Sequence, residues 1–500
     1  MCDCAAVPCV KGFVRFRRNL RNSDVAPMGF ARHGVQNPAL FGACREICAF
    51  QKRKWLPFGE TRIIRGDKNH GKEAAMNDST SAHRLRGQLK KFVGIVFPHA
   101  PKPQKEFLGQ MFFGIQAGQT TVLSRIAREL EEGILLKKTE ERLSRHLLDE
   151  GLDAMVQDAV LAQGAACVHD DTIVSIDPSD IQKPYAQEGG MPLLAKVWDG
   201  SKGRVGDNLG YNLCFAAASP SMSRRIVPLH MTMWSTKEDG FTSENDKVLE
   251  VVRKVAGACE GRGIYVYDRG GDGDWLFDFF VKEGLDFIVR LVGDRHLLHW
   301  NGRRLAADLA GTCVMKYRQR VTFKSHGKER DVPIEYGSIP VRLPEHPDVE
   351  LRLVVVQWPK CETPMMLLTT LRAARSRKSL RQVVEGYLTR WRVEETIRFV
   401  KQAYEIEDVR LLKFDRLKAM VAIVLATAYF AMAWLGLSDK LAVLADHVKR
   451  VSKRMFDVPD FFFYAIADGL RTLFSRHGRW NGLDDPDKEP EEPCQMILAL

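Results

Sequence analysis

Residues 387–401 read Y-L-T-R-W-R-V-E-E-T-I-R-F-V-K, with Tyr387, Arg390, Glu394 and Lys401 separated by gaps of two, three and six residues. On a helix turning about 100° per residue, these four fall within about 60° of one another. One stripe then carries a phenol, a guanidinium, a carboxylate and an ammonium. A carboxylate takes a hard cation such as Mg²⁺. The other three groups suit a phosphate backbone: Tyr387 by a hydrogen bond or by stacking on a sugar, Arg390 by a bidentate clamp, Lys401 by charge. The stripe points to a site that holds metal and nucleic acid together. The plainer alternative is an exposed ion-paired face, because Arg390 and Glu394 stand at i, i+4. Ser379 and Gln382 read as a capping box that opens this helix. Val384, Leu388, Trp391 and Phe399 read as the flank that packs on a sheet.

Two more acids close short β-branched runs upstream. T-I-V-S-I-D ends at Asp177 and G-I-Y-V-Y-D ends at Asp268. If those strands are neighbours, their carboxylates meet at one sheet edge and Glu394 completes a triad. Breaking a phosphodiester at neutral pH needs an activated nucleophile and charge stabilisation on the leaving oxygen, which two Mg²⁺ roughly 4 Å apart provide. Each acid also has a local explanation. Asp177 can open an Asx turn before Pro178, with Asp170, Asp171 and Asp180 as competitors for its role. Asp268 can cap a strand-end turn, and Glu394 has Glu395 beside it.

The surrounding pattern predicts an α/β protein with an RNase H-like catalytic core, an all-β insertion, a helical N-terminal DNA-binding domain and a helical C-terminal region. Three strand-like runs (Thr172–Asp177, Tyr211–Ala218, Arg225–Met233) precede a helix that starts at Ser243 and runs to about Ala258. A strand (Gly263–Asp268), a helix (Asp274–Lys282) and a strand (Asp286–Val292) follow. Hairpin strands followed by β-α-β give the order of such a sheet. The expected divisions are 1–75 (a basic, Cys-containing segment), 76–165 (helical, DNA-binding), 166–293 (first part of the core), 294–365 (β-rich insertion), 366–440 (second part of the core) and 441–500 (helices and an acidic tail). Within 120–150, Thr120 or Thr121 would cap one helix carrying Val122, Ile126 and Leu130. Gly133 would end it, and a second helix would bury Leu143 and Leu147, as a helix-turn-helix or as a structural hairpin. In the insertion, Lys316, Arg318, Arg320, Lys324, Lys328 and Arg330 make a basic hairpin, read either as a DNA contact or as a charged edge strand.

Composition narrows the function classes. The 500 residues carry a net charge of +11, but residues 1–75 hold 14 Lys/Arg against 6 Asp/Glu, leaving 60 against 57 in the rest. Nucleic-acid binding by the main body therefore needs local patches. Met76 is the expected true start, or residues 1–75 form a disordered basic arm. The 11 cysteines lack a disulfide framework and suit a reducing cytosol. Cys44, Cys48 and His33 match no usual zinc spacing. No apolar run follows the charged start, so a signal peptide is not expected. Ala419–Leu437 is free of charge and near membrane-spanning length, yet its Ala, Thr, Tyr and Gly content favours a buried core helix. The tail Asp484–Glu492 is acidic and expected to be disordered.

On these motifs the chain resembles the DDE transposases of bacterial cut-and-paste insertion sequences, the insertion-sequence-four group marked by a Y-R-E-K helix. The likeness covers roughly residues 85–440. It places the acids at Asp177 (T-I-V-S-I-D-P-S-D-I), Asp268 (Y-V-Y-D-R-G-G-D) and Glu394, with Arg290 in F-I-V-R as a further matching basic residue. There are 90 residues between the first two acids and 125 between the second and third, the longer gap being where the family carries its β-rich insertion. The resemblance implies two Mg²⁺ ions, replaceable by Mn²⁺, held by Asp177, Asp268 and Glu394. It implies DNA contacts from Tyr387, Arg390, Lys401 and Arg290. It also implies a homodimer on double-stranded DNA that joins transposon ends to a target, in the cytoplasm at the nucleoid and without a membrane. Strand cleavage followed by 3′-hydroxyl attack, through a hairpin end in relatives, is the implied chemistry, and Trp358 is a candidate for holding a flipped base. Two other functions remain open at this point: an RNase H-like nuclease without strand transfer, and a non-catalytic DNA-binding descendant.

Overall fold

The computed structural model describes residues 77–483 except 184–185, 188, 200–203, 301, 326–327, 360, 372–375, 436–441, 453–460 and 478. The basic segment 1–75, the His33/Cys44/Cys48 group, Met76 and the acidic tail lie outside the described residues. Apolar residues at helical spacing dominate the first part, which folds as α1 (Asp78–Val96), α2 (Lys102–Gly118), α3 (Leu123–Glu129), α4 (Leu136–His146) and α5 (Leu152–Ala165). The expected hairpin within 120–150 is present as α3 and α4, with Ile126, Leu130, Leu143 and Leu147 buried. Its capping differs from expectation. Val122 is the N-cap and gives no side-chain bond. The Thr121 hydroxyl instead donates to the Glu405 carbonyl at 3.0 Å, tying the hairpin to a distant turn.

The strands are β1 (Thr172–Gln182), β2 (Ala195–Asp199), β3 (Arg204–Pro220) and β4 (Val227–Trp234), then α6 (Glu244–Ala258), β5 (Ile264–Tyr267), α7 (Asp274–Glu283) and β6 (Asp286–Arg290). Ser243 caps α6 as expected, its hydroxyl accepting from Asp246 N at 3.1 Å. β4 pairs β3 and β3 pairs β1, both antiparallel, while β1, β5 and β6 run parallel side by side. This mixed sheet has the order and senses expected of an RNase H-like core. β1 is longer than its sequence suggested. It continues past Asp177 to Gln182, because β3 keeps pairing with it as far as Gly210. The parallel neighbour stops earlier, at Ser175↔Val266, so Asp177 lies just beyond the point where one side of β1 becomes open.

Residues 294–365 were expected to form an all-β insertion. They contain β7 (His296–His299), β8 (Gly302–Leu305), a short helix α8 (Ala306–Gly311), β9 (Tyr317–Ser325), β10 (Lys328–Leu343) and β11 (His346–Gln357), followed by β12 (Met365–Thr369). The helix corrects the all-β reading. The strands also extend the core sheet rather than forming a separate one. β12 pairs β6, and the hydrogen-bonded path runs β2-β3-β1-β5-β6-β12-β11-β10-β7-β8. In the basic hairpin, Arg318 pairs with Glu335 and Arg320 with Asp331 across β9 and β10, which suits a charge-protected strand at those two positions.

α9 (Arg377–Thr389) and α10 (Trp391–Ala403) carry the motif helix, and α11 (Phe414–Tyr429), α12 (Ala442–Val451) and α13 (Phe463–His477) follow. Helix Phe414–Trp434, with its terminal π turn, is long and apolar enough to cross a membrane, yet 89% of its most apolar 18-residue stretch is buried. Phe92 of α1 packs against Tyr429, Phe430 and Trp434, and Phe113 of α2 against Phe474 of α13. The early and late helices therefore share one core. A second core lies on the sheet, where Ile173, Ile264, Ile288, Val354 and Leu367 meet Leu380, Val383, Val384 and Tyr387 of α9.

Candidate active site

Side chains alternate along a strand, so Ile173, Ser175 and Asp177 share one face. So do Ile264, Val266 and Asp268 on β5, and Ile288 and Arg290 on β6. The apolar members of these sets bury against α9, which places the two aspartates and Arg290 on the face that the motif helix covers. Two parallel strands side by side thus deliver Asp177 and Asp268 to neighbouring positions, as the sequence suggested.

The motif helix departs from the single stripe. It opens at Ser376, whose hydroxyl accepts from Ser379 N at 3.2 Å while Ser379 Oγ accepts from Ser376 N. The box is therefore Ser376/Ser379, not Ser379/Gln382. The hydrogen-bond ladder tightens at Arg390, where Arg390 N bonds the Tyr387 carbonyl and Val393 N bonds the Arg390 carbonyl, a spacing of three. Thr389 Oγ1 donates to the Glu385 carbonyl and accepts from Met222 N at 2.9 Å, pinning this joint to the β3–β4 turn. Val384 and Phe399 are fully buried, but Trp391 is 36% exposed and does not pack as expected. Phe399 is held among Tyr404, Phe461 and Phe463.

Arg390 is the centre of the site. Its guanidinium donates to Glu394 Oε1 at 2.5 Å and to Asp177 Oδ1 at 3.3 Å, with 10% of its side chain exposed. It bridges two of the three acids, whereas the sequence reading gave it to phosphate. Asp268 Oδ1 accepts from Gly270 N at 2.8 Å and caps the 3₁₀ turn Arg269–Gly271. Burial pushes the Asp177 carboxyl well above its usual range. Arg390 opposes that shift, and the charges of Glu394 and Asp268 add to it. Burial likewise raises Glu394 against the pull of Arg390, with Asp268 again adding to the rise. The three carboxylates thus feel one another, and one guanidinium does not neutralise them.

Tyr387 is 7% exposed and belongs to the apolar core, with Arg390 over its ring at 5.8 Å. Its phenol is therefore not displayed on an open stripe. Lys401 lies beyond Glu394 and pairs with Asp180 at 2.8 Å and Glu407 at 3.2 Å. These two partners escaped the sequence reading in that role. Asp180 entered only as a rival to Asp177, and Glu407 comes from a turn (Ile406–Asp408) that no pattern marked. Lys183 fixes that turn by donating to the Glu407 and Val409 carbonyls at 2.6 and 2.9 Å. Burial lowers Lys183 to about 8 despite the opposing charges of Glu407 and Asp408. Arg290 ends β6 opposite Leu367, and its Nε is buried without a hydrogen-bond partner among the described residues. A cleft of about 410 Å³ opens beside the acids, lined by Asp177, Ser179, Glu394, Arg398, Lys401 and Glu407 among others. Among the described residues, no three His, Cys, Asp or Glu side chains are grouped to hold one ion as the side chains stand.

A carboxylate site on one face of a mixed α/β sheet, closed by a helix that brings its own arginine, is the class this geometry defines. Residues 230–431 of the chain match the family model described as the transposase DDE domain. That match, about two fifths of the chain, contains Asp268 and Glu394, and Asp177 precedes it. Among solved structures, the chain is similar to a piggyBac transposase synaptic complex with hairpin DNA, at 11% identity and a TM-score of 0.35, covering 79% of this chain and 80% of that one. No curated protein matches the chain.

Proposed function

We propose that this protein is a DDE transposase of the insertion-sequence-four type, which binds the terminal inverted repeats of its element and catalyses DNA cleavage and strand transfer. What supports this reading is that Asp177 and Asp268 end neighbouring parallel strands and that Arg390 ties Glu394 to Asp177, within a chain whose middle matches the transposase DDE family. Hard carboxylate oxygens from separate elements suit Mg²⁺ or Mn²⁺. Raised carboxyl pKa values at Asp177 and Glu394 mark a place short of positive charge, so the residues fit a divalent cation. Asp177, Asp268 and Glu394 would hold it, two ions being the proposed number. The chemistry such ions supply is activation of the attacking oxygen and charge stabilisation on the leaving one.

The chain's own residues position the DNA. Arg390 steadies Asp177 and Glu394 and, once they are otherwise neutralised, turns its guanidinium to a phosphate. Lys401, set at the cleft by Asp180 and Glu407, takes a phosphate beyond the acids, and Arg290 supplies a donor from β6. Tyr387 acts through Arg390, whose guanidinium its ring supports. Double-stranded DNA is the partner, a homodimer forms on it, and the work is done at the cytoplasmic nucleoid. The test is Mg²⁺-dependent cleavage of DNA bearing the element's ends, comparing wild type with Glu394→Gln. Double-strand breaks from wild type and binding without cleavage from the variant are expected. Binding without cutting by wild type, in Mg²⁺ and Mn²⁺ alike, would sink the catalytic reading in favour of a DNA-binding descendant.

A further inference from the structure

Trp300 is 82% exposed, the most exposed of the large apolar side chains among the described residues. It directly follows β7, whose His299 pairs with Gly302 at the start of β8. Its φ is +51°. That left-handed conformation favours Asn or Gly, and a bulky aromatic in it is costly. A strained, exposed indole on a paired hairpin calls for an explanation by contact.

Its surroundings say which contact. Leu298 stands opposite Arg303 of β8 and Arg342 of β10, so Arg342, Leu298 and Arg303 form a row across three strands, on one face. Both arginines are exposed, and among the described residues neither has an ion-pair partner. The opposite face is apolar and buried, with Leu297, Val341 and Leu343 at 0–2% exposure. The β10–β11 register shifts between Val341 and Leu343, but along β10 Ile339, Val341 and Leu343 are buried and Pro340 and Arg342 exposed, so Arg342 shares the face of Pro340. Pro340 lies opposite Arg352 and Ser338 opposite Val354, and Val354 belongs to the core under α9. Arg342 and its neighbours therefore lie on the same sheet face as Asp177 and Asp268. Six strand steps separate β1 from β7, or about 29 Å at roughly 4.8 Å per step.

We propose that the β7–β8 hairpin is a second duplex-DNA contact, in which Trp300 packs on the sugar edge or wedges at a base step between phosphates held by Arg303 and Arg342. Aromatic wedges flanked by basic residues are a physical means of gripping a duplex. A duplex rising ~3.4 Å per base pair would meet this hairpin about eight to nine pairs from the acids. The inference rests on the transposase reading for its ligand, but it concerns residues outside the carboxylate site.

The experiment is fluorescence anisotropy with a labelled duplex of about 30 base pairs and arbitrary sequence, titrated at several salt concentrations. Proteins are wild type, Trp300→Ala, the double variant Arg303→Ala/Arg342→Ala, and Leu412→Ala as a control that is 69% exposed elsewhere. Trp300→Ala is expected to weaken binding about 5- to 100-fold without changing the salt slope. The arginine pair is expected to weaken it and to reduce the slope of log K against log salt by about 1.8, which is about 0.9 for each lost phosphate contact. Leu412→Ala should match wild type. Wild-type affinity and slope in both hairpin variants would overturn the proposal while leaving the transposase reading intact. Loss of self-association with DNA affinity unchanged would overturn it too, and would give the hairpin to a second copy of the chain. Absence of duplex binding by wild type would overturn both readings.

Discussion

Two arginines in this protein each bridge a pair of carboxylates, and the two clusters differ in what else holds them. Arg295 joins Asp272 and Asp274 at the foot of α7. Asp272 there also accepts from Val292 N at 2.7 Å, and Arg295 lies over the Phe277 ring at 4.7 Å. Burial pulls Arg295 down, but bonds to both aspartates more than offset it, and its pKa ends raised. That cluster is complete as it stands. In the other cluster Arg390 faces Asp177 and Glu394, a third acid stands near, and both bridged carboxyls are raised. A buried polar group that still lacks charge compensation is a place where a ligand is wanted. A guanidinium between two carboxylates makes a brace in one place and a socket in the other.

The largest expected effect tests that contrast directly. Asp272→Ala leaves Arg295 buried with only the exposed Asp274, and should destabilise the fold by about 3–5 kcal/mol in denaturant titration. Asp177→Asn removes a carboxylate that burial already disfavours. It should cost less than about 1 kcal/mol, or even stabilise, while abolishing cleavage. Similar losses of stability in both variants would break the comparison.

His230 is buried with no ion pair to it among the described residues. His230 on β4 is 4% exposed, and its Nδ1 has no hydrogen-bond partner among the described residues. Burial lowers its pKa from 6.5 to about 3, with Lys254 lowering it further and Asp158 opposing. The unfolded chain takes a proton below pH 6.5 that the fold refuses. Stability should therefore fall by about 1.4 kcal/mol for each pH unit between 6.5 and 3. Denaturant midpoints measured across that range should slope less in His230→Gln than in wild type. Equal slopes would show that His230 is not held neutral. The smallest effect is at the entry to the motif helix. Ser376→Ala removes the cap and should cost about 1 kcal/mol, with cleavage at 25 °C spared because Thr389 still pins the joint near Arg390.

Much of the placement of the carboxylates was legible in the sequence because its signals are local. Alternation in T-I-V-S-I-D and Y-V-Y-D set two acids on one face, and a short strand-like run predicted each strand. The spacing from Tyr387 to Lys401 identified the helix. What sequence did not reveal was set by distant partners. The continuation of β1 past Asp177 depends on pairing with β3, and β2 was missed for the same reason. The tight turn at Arg390 follows from Thr389 bonding Met222. Tyr387 is buried because strands of the insertion complete the layer beneath it. Asp180 and Glu407 gain their role only when the Ile406 turn folds back on β1.

The seam between β6 and β12 has a consequence for how the protein comes to be active. Leu367 pairs with Arg290, so the chain leaves the core and re-enters it one strand away, after 76 intervening residues. A loop that long closes at an entropic cost that grows only slowly with its length, but it closes late, since non-local pairings form slowly. Val354 and Val356 come from the detour, yet they complete the layer on which α9 rests. The protein therefore has an internal order of assembly: the detour must return before the helix bearing Arg390 and Glu394 has a floor. A chain halted midway through that excursion would hold Asp177 and Asp268 without the Arg390 and Glu394 that complete their cluster, a built-in delay between synthesis and a finished site.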